Sequence, residues 1–98
     1  MYRPLPHGVT IQQSPIHGLG LFATQSIPAD YTLGISHVKT HPAETEFIRT
    51  PLGGFINHSD DPNCIKKGGS CMMTLKTLRE IAVGEELTVR YTLYKIKD

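Results

Sequence analysis

Apolar and polar residues alternate over short runs along the chain, and each run is closed by a turn former. Val9-Thr10-Ile11 alternates before Ser14-Pro15-Ile16-His17-Gly18. Leu19 to Ala23 forms a second run, closed by Ile27-Pro28-Ala29-Asp30, and Tyr31 to Val38, rich in β-branched and aromatic residues, forms a third. Cys71 to Leu78 sets Met72, Thr74 and Lys76 on one side and Met73, Leu75 and Thr77 on the other. Leu87 to Tyr91 alternates as the last run, after a turn at Ile81-Ala82-Val83-Gly84. Lys66-Lys67-Gly68-Gly69-Ser70 reads as a hairpin connection. Residues 39–52, KTHPAETEFIRTPL, are polar and hold two prolines, so they support no more than one helical turn at Thr45 to Arg49. Phe55-Ile56 reads as buried. The pattern predicts a mainly β domain of many short strands, without repeats or an internal linker.

Ninety-eight residues make one domain, 1–98, with a thin core. Ten Lys plus Arg against nine Asp plus Glu give +1 at neutral pH, with no basic run longer than Lys66-Lys67. A sequence-independent nucleic-acid binder needs many phosphate contacts from one basic face, so no nucleic-acid partner is expected. No apolar stretch approaches the roughly 18 residues of a membrane span, and MYRPLPHGVT does not read as a signal peptide. The expectation is an intracellular protein, cytoplasmic or nuclear, with no membrane partner and reduced thiols. Cys64 and Cys71 then read as two small buried thiols rather than a disulfide. A zinc clip at His58, Cys64 and Cys71 has only three ligands and no paired CxxC, so no metal site is expected.

The stretch FINHSDDPNC, residues 55–64, reads on its own as a surface turn, because Pro presets φ and Asx side chains bond their own backbone. Two further features frame it. Gly18-Leu19-Gly20 precedes Leu21-Phe22-Ala23 and lacks the third glycine of a dinucleotide fingerprint. Gly84-Glu85-Glu86-Leu87-Thr88-Val89-Arg90-Tyr91 closes the chain's last strand. In this order the three resemble the GxG, NHSxxPNC and GEELxxxY boxes of the SET-domain protein lysine methyltransferases, with Leu78-Arg79-Glu80-Ile81 similar to the usual lead-in. The resemblance runs from about Val9 to Tyr94, and its two later boxes are the specific ones.

The resemblance implies a SET-domain, β-clip-like fold of small curved sheets with a C-terminal pseudoknot. It also implies S-adenosylmethionine as cofactor and a lysine-containing protein, such as a histone-like tail, as substrate. By the same resemblance, Asn57 holds the methionine part of the cofactor. The backbone of His58 meets the adenine while its side chain locks the crossing, and the backbone of Gly18, Leu19 and Gly20 lines the cofactor. Tyr91 is the implied catalytic residue, its hydroxyl reaching the transfer region and the cofactor's methyl. Tyr94 is implied to close the lysine channel. Val89 stands where some members limit methylation state, and a small aliphatic there leaves space for a methylated amine. Phe47 and Arg49 are candidates for substrate contact. Methyl transfer to an amine is an in-line displacement that needs a neutral nitrogen, whereas free lysine titrates near ~10.4. An apolar channel and the cofactor's neighbouring sulfonium both disfavour the ammonium.

The sequence also departs from the family pattern. Leu19 replaces the aromatic between the two glycines, and the insert at 37–52 is short and contains no Tyr. Only Thr92 to Asp98 follow Tyr91, without a cysteine-rich tail, so the zinc role of the box cysteine is not carried to Cys64. A homodimer would be one way to complete the channel. The competing expectation is a SET-like binding module without turnover.

Overall fold

A short strand covers little surface, and the eight strands found among the described residues stabilise one another as two four-stranded sheets. The computed structural model describes residues 5–39, 41, 47–69 and 71–91. The strands are β1 (Val9–Gln13), β2 (Leu19–Ala23), β3 (Thr32–Val38), β4 (Ile48–Arg49), β5 (Asn57–His58), β6 (Cys64–Gly68), β7 (Met72–Thr77) and β8 (Glu86–Val89), with one helical turn, α1 (Pro51–Gly54), before β5. One sheet has the order β1-β2-β8-β5 and the other β4-β3-β7-β6.

The second sheet follows the alternation in the sequence. Leu75 and Thr77 of β7 are buried, while Met72 on the opposite face is exposed. β7 pairs with β3 through a ladder with two register shifts and with β6 from Cys64↔Thr77 to Gly68↔Met73. Lys66 and Lys67 therefore lie within the ladder, and the hairpin connection is shorter than the five residues expected. The Gly69 N–H donates back to Met72 O at 3.0 Å.

β8 departs from the expected alternation. Leu87, Thr88 and Val89 are all buried because β8 lies between antiparallel β2 and parallel β5. Leu21, Leu75, Ile81 and Leu87 are fully buried, each contributing roughly 1.5–3 kcal/mol by removal from water. The helical turn is also displaced from its expected place. Ile48 and Arg49 are strand residues, residues 45–46 lie outside the described residues, and the turn forms at Pro51–Gly54. Thr50 caps it by accepting from Gly53 N–H at 3.4 Å, with Pro51 at the first helical position, where its missing N–H costs nothing. Ile56 is buried as expected, whereas Phe55 keeps 36% of its surface exposed.

Candidate active site

The stretch FINHSDDPNC lies against the end of β8 and is bonded to it at both ends. Ser59 N–H donates to Val89 O at 2.9 Å, and β5 pairs Asn57↔Thr88 and His58↔Val89. Asn63, 2% exposed, accepts at Oδ1 from Thr88 N–H at 2.8 Å and donates from Nδ2 to Glu86 O at 2.8 Å. Thr88 Oγ1 accepts from Asn63 N–H at 3.3 Å. An Asn serves here because a single side chain supplies both a donor and an acceptor to a strand whose ladder has ended on that side. Below it, Glu85 accepts from Ala82 N–H at 2.9 Å and pairs with Arg79 at 2.8 Å. Burial pushes the Glu85 carboxyl up, but the hydrogen bonds from Ala82, Asn63 and Arg79 outweigh it and hold the group below its usual range.

Asn57, 7% exposed, sits at the start of β5 with Nδ2 among four acceptors. These are Glu86 Oε2 at 2.9 Å and Ser14 Oγ, His17 O and Leu19 O, each at 3.2 Å. The amide orientation follows from this setting, since Oδ1 turned the same way would face oxygen on every side. No described residue donates to Oδ1. Gly20 closes the cluster from β2. A Cβ there would overlap Glu86 Oε2 and come within 3.0 Å of Asn57 Nδ2, so the second glycine of the GxG admits a carboxylate. Gly18, at φ +46°, has open space where a Cβ would stand, and Leu19 is exposed.

His58 connects this cluster to Tyr91. Its Nδ1 accepts from Tyr91 N–H at 2.8 Å, which places the ring proton on Nε2, 3.0 Å from Asp60 Oδ1. The two rings lie 5.2 Å apart at 58°. The Tyr91 hydroxyl donates to Ile56 O at 2.6 Å, so its own lone pairs are left to accept. Burial raises the Tyr91 pKa above its ordinary 10.0, and the Arg49 cation partly opposes the rise. Arg49 also acts on Lys66, whose ammonium is disfavoured first by half-burial and then by that cation. Arg49 and Lys66 stand on the two edge strands of the second sheet and share one of its faces. His37↔Arg49 and His37↔Met73 form one row and Lys66↔Leu75 lies two residues along, all on one face of the second sheet.

The other expected residues are dispersed. Phe47 packs edge-on to His37 at 6.1 Å and under Lys39 at 4.7 Å. Val89 is 1% exposed within the core. Tyr94 lies outside the described residues. Cys64 and Cys71 stand at opposite ends of the β6–β7 hairpin, so they cannot share a zinc ion or a disulfide. Burial pushes the Cys64 thiol up to about 12, against the thiolate that zinc requires. Sequence reading missed Ser14, Glu86 and the central part played by Asn63. The only signal for Glu86 was its place in GEEL, and Ser14 looked like a turn residue.

A family model described as SET domain matches residues 35–92. The chain is similar to the Saccharomyces cerevisiae histone-lysine N-methyltransferase, H3 lysine-4 specific, at 33% identity over 122 aligned positions, covering 92% of this chain and 11% of that protein. Among solved structures, the methyltransferase domain of human PR domain-containing protein 2 superposes with a TM-score of 0.69 at 19% identity, over 90% of this chain and 79% of that one. A humanized mutant of Chaetomium thermophilum Polycomb Repressive Complex 2 superposes with a TM-score of 0.71 at 19% identity, over 88% of this chain and 15% of that one.

Proposed function

The chain belongs to the SET-domain family, and from that premise we propose that it transfers a methyl group from S-adenosylmethionine to the ε-amine of a lysine in a protein. A histone-like tail is the substrate class its yeast relative suggests. One two-residue strand carries the reading. Asn57 and His58, consecutive in that strand, present a buried amide whose oxygen has no donor among the described residues and a ring that fixes Tyr91.

The residues present fit a cofactor with an ammonium end. Asn57 Oδ1 is an acceptor in need of a donor, and Gly18 and Leu19, whose carbonyl meets the Asn57 amide, are exposed. Backbone groups of Gly18, Leu19 and His58 would hold the rest, and the bound cofactor supplies a methyl group on a sulfonium. Tyr91 then orients the incoming amine. Its hydroxyl proton is committed to Ile56 O, so the phenol oxygen accepts from an amine N–H. Its raised pKa keeps it a phenol at neutral pH, which makes it an orienting dipole rather than a base. The lysine must be neutral to attack, and its proton leaves to water. Phe47 and Tyr94 would contact or cover the substrate outside this centre.

Calorimetric titration with S-adenosylmethionine tests the reading. The wild type should bind and Asn57→Ala should bind at least about tenfold more weakly, the loss of one charge-assisted hydrogen bond. Equal affinity in the two proteins would remove Asn57 from the site.

A further inference from the structure

Glu86 is a carboxylate with no cation partner among the described residues, and it is held between a hydroxyl and an amide. Ser14 Oγ lies 2.9 Å from Oε1 and 2.8 Å from Oε2, and Asn57 Nδ2 lies 2.9 Å from Oε2. A hydroxyl has one proton and two lone pairs. Ser14 gives its proton to Glu86, the only one of its partners that has no hydrogen to offer. Its lone pairs then face three donors, Ile16 N–H at 2.9 Å, Asn57 Nδ2 at 3.2 Å and His17 N–H at 3.5 Å. The direction of every bond is thereby fixed, starting from the negative charge on Glu86. Gly20 supplies the space for that carboxylate, and the cluster joins three segments far apart in the chain.

We infer that Ser14 and Glu86 are positioning residues that, together with the carbonyls of His17 and Leu19, lock the Asn57 amide with its nitrogen inward, so that Oδ1 is the only atom of that amide left for a ligand. The lock determines which ligand chemistry the site accepts. A released amide could turn and offer N–H to a carboxylate or O to an ammonium, whereas the locked amide offers only an acceptor and takes a donor such as an α-ammonium group. Glu86 does not touch the ligand in this assignment; it acts through Asn57. Exchanging Glu86 for Gln preserves shape but replaces one carboxylate oxygen with an N–H₂ group. The remaining oxygen, at the place of Oε2, can still accept from Ser14 Oγ and Asn57 Nδ2, and His17 O and Leu19 O still face the amide, so the exchange weakens the lock by removing its charge.

This inference rests on the proposed cofactor site, and the experiment separates the two. Affinity for S-adenosylhomocysteine, which cannot react, is measured calorimetrically for wild type, Glu86→Gln, Ser14→Ala and Asn57→Ala, and for each of the first two changes combined with Asn57→Ala. Glu86→Gln should weaken binding about tenfold and Ser14→Ala several-fold, roughly the loss of one hydrogen bond in a charged network. Neither should weaken it further once Asn57 is Ala. Equal losses in both backgrounds, or no loss in the singles, would overturn the lock. The ligand-free proteins supply the second readout. The Asn57 side-chain amide protons should exchange slowly in wild type and at least about tenfold faster in Ser14→Ala and Glu86→Gln. Unchanged exchange in folded variants would also overturn it. If the wild type binds no S-adenosylhomocysteine, the cofactor reading fails, and amide exchange alone decides the lock.

Discussion

Truncating Asn63 to Ala should unfold the crossing of FINHSDDPNC with β8, and the structure gives the size of the effect. The side chain is 2% exposed and serves Thr88 N–H and Glu86 O, each at 2.8 Å. Alanine leaves both buried backbone groups without this partner, at about 1–3 kcal/mol each, so the loss is about 2–6 kcal/mol. A domain of this size has about 5–15 kcal/mol in total. At about 4–8 °C per kcal/mol, a mid-range loss lowers Tm by roughly 15–30 °C. Urea unfolding followed by circular dichroism should show a lower midpoint with an unchanged slope, which identifies lost stability rather than a changed unfolded state. Asn63→Asp should be no better at neutral pH, because it turns an oxygen toward Glu86 O and the Glu85 carboxylate, and it should recover partly in acid. A loss below about 1 kcal/mol in Asn63→Ala would refute the claim that this side chain closes the crossing.

Other outcomes follow from the same geometry. Gly20→Ala should displace the Glu86 carboxylate and abolish cofactor binding in calorimetry, whereas Gly54→Ala, with open space at its Cβ position, should leave it unchanged. Mass-spectrometric alkylation should label the partly exposed Cys71 first and Cys64 only on unfolding, since burial holds the Cys64 thiol at about 12. Glu85, with its folded pKa depressed below 4.5, contributes stability that is present above that value and is lost as pH falls through the lower folded value. Thermal melts of Glu85→Gln should accordingly be lower than wild type at pH 7, by about 1 kcal/mol of stability, and converge with it in acid. Tyr91 should titrate above 10 in a spectrophotometric difference between wild type and Tyr91→Phe, and Arg49→Gln should move it higher still.

Much of the fold was legible because period-two alternation and turn chemistry are local properties. The β3 and β7 strands fall within a residue or so of where the pattern puts them. β8 broke the pattern because its second neighbour, the parallel β5, comes from a segment that reads as a turn. The helical turn at Pro51–Gly54 was misplaced because its first-position proline was read as a breaker. At the site, Asn57, His58 and Tyr91 stood out through their boxes. Ser14 and Glu86 did not, since a bond between residues 72 positions apart leaves no local trace.

The central claim is best tested by mass spectrometry of lysine-bearing histone tails incubated with S-adenosylmethionine and either the wild-type chain or Tyr91→Phe. The account predicts methyl mass on a lysine with wild type. It predicts at least about a hundredfold slower transfer with Tyr91→Phe, whose cofactor affinity stays the same, because an amine oriented for attack is worth orders of magnitude in rate. Transfer at an equal rate by Tyr91→Phe, or cofactor bound by wild type with no methyl reaching any lysine, would contradict it.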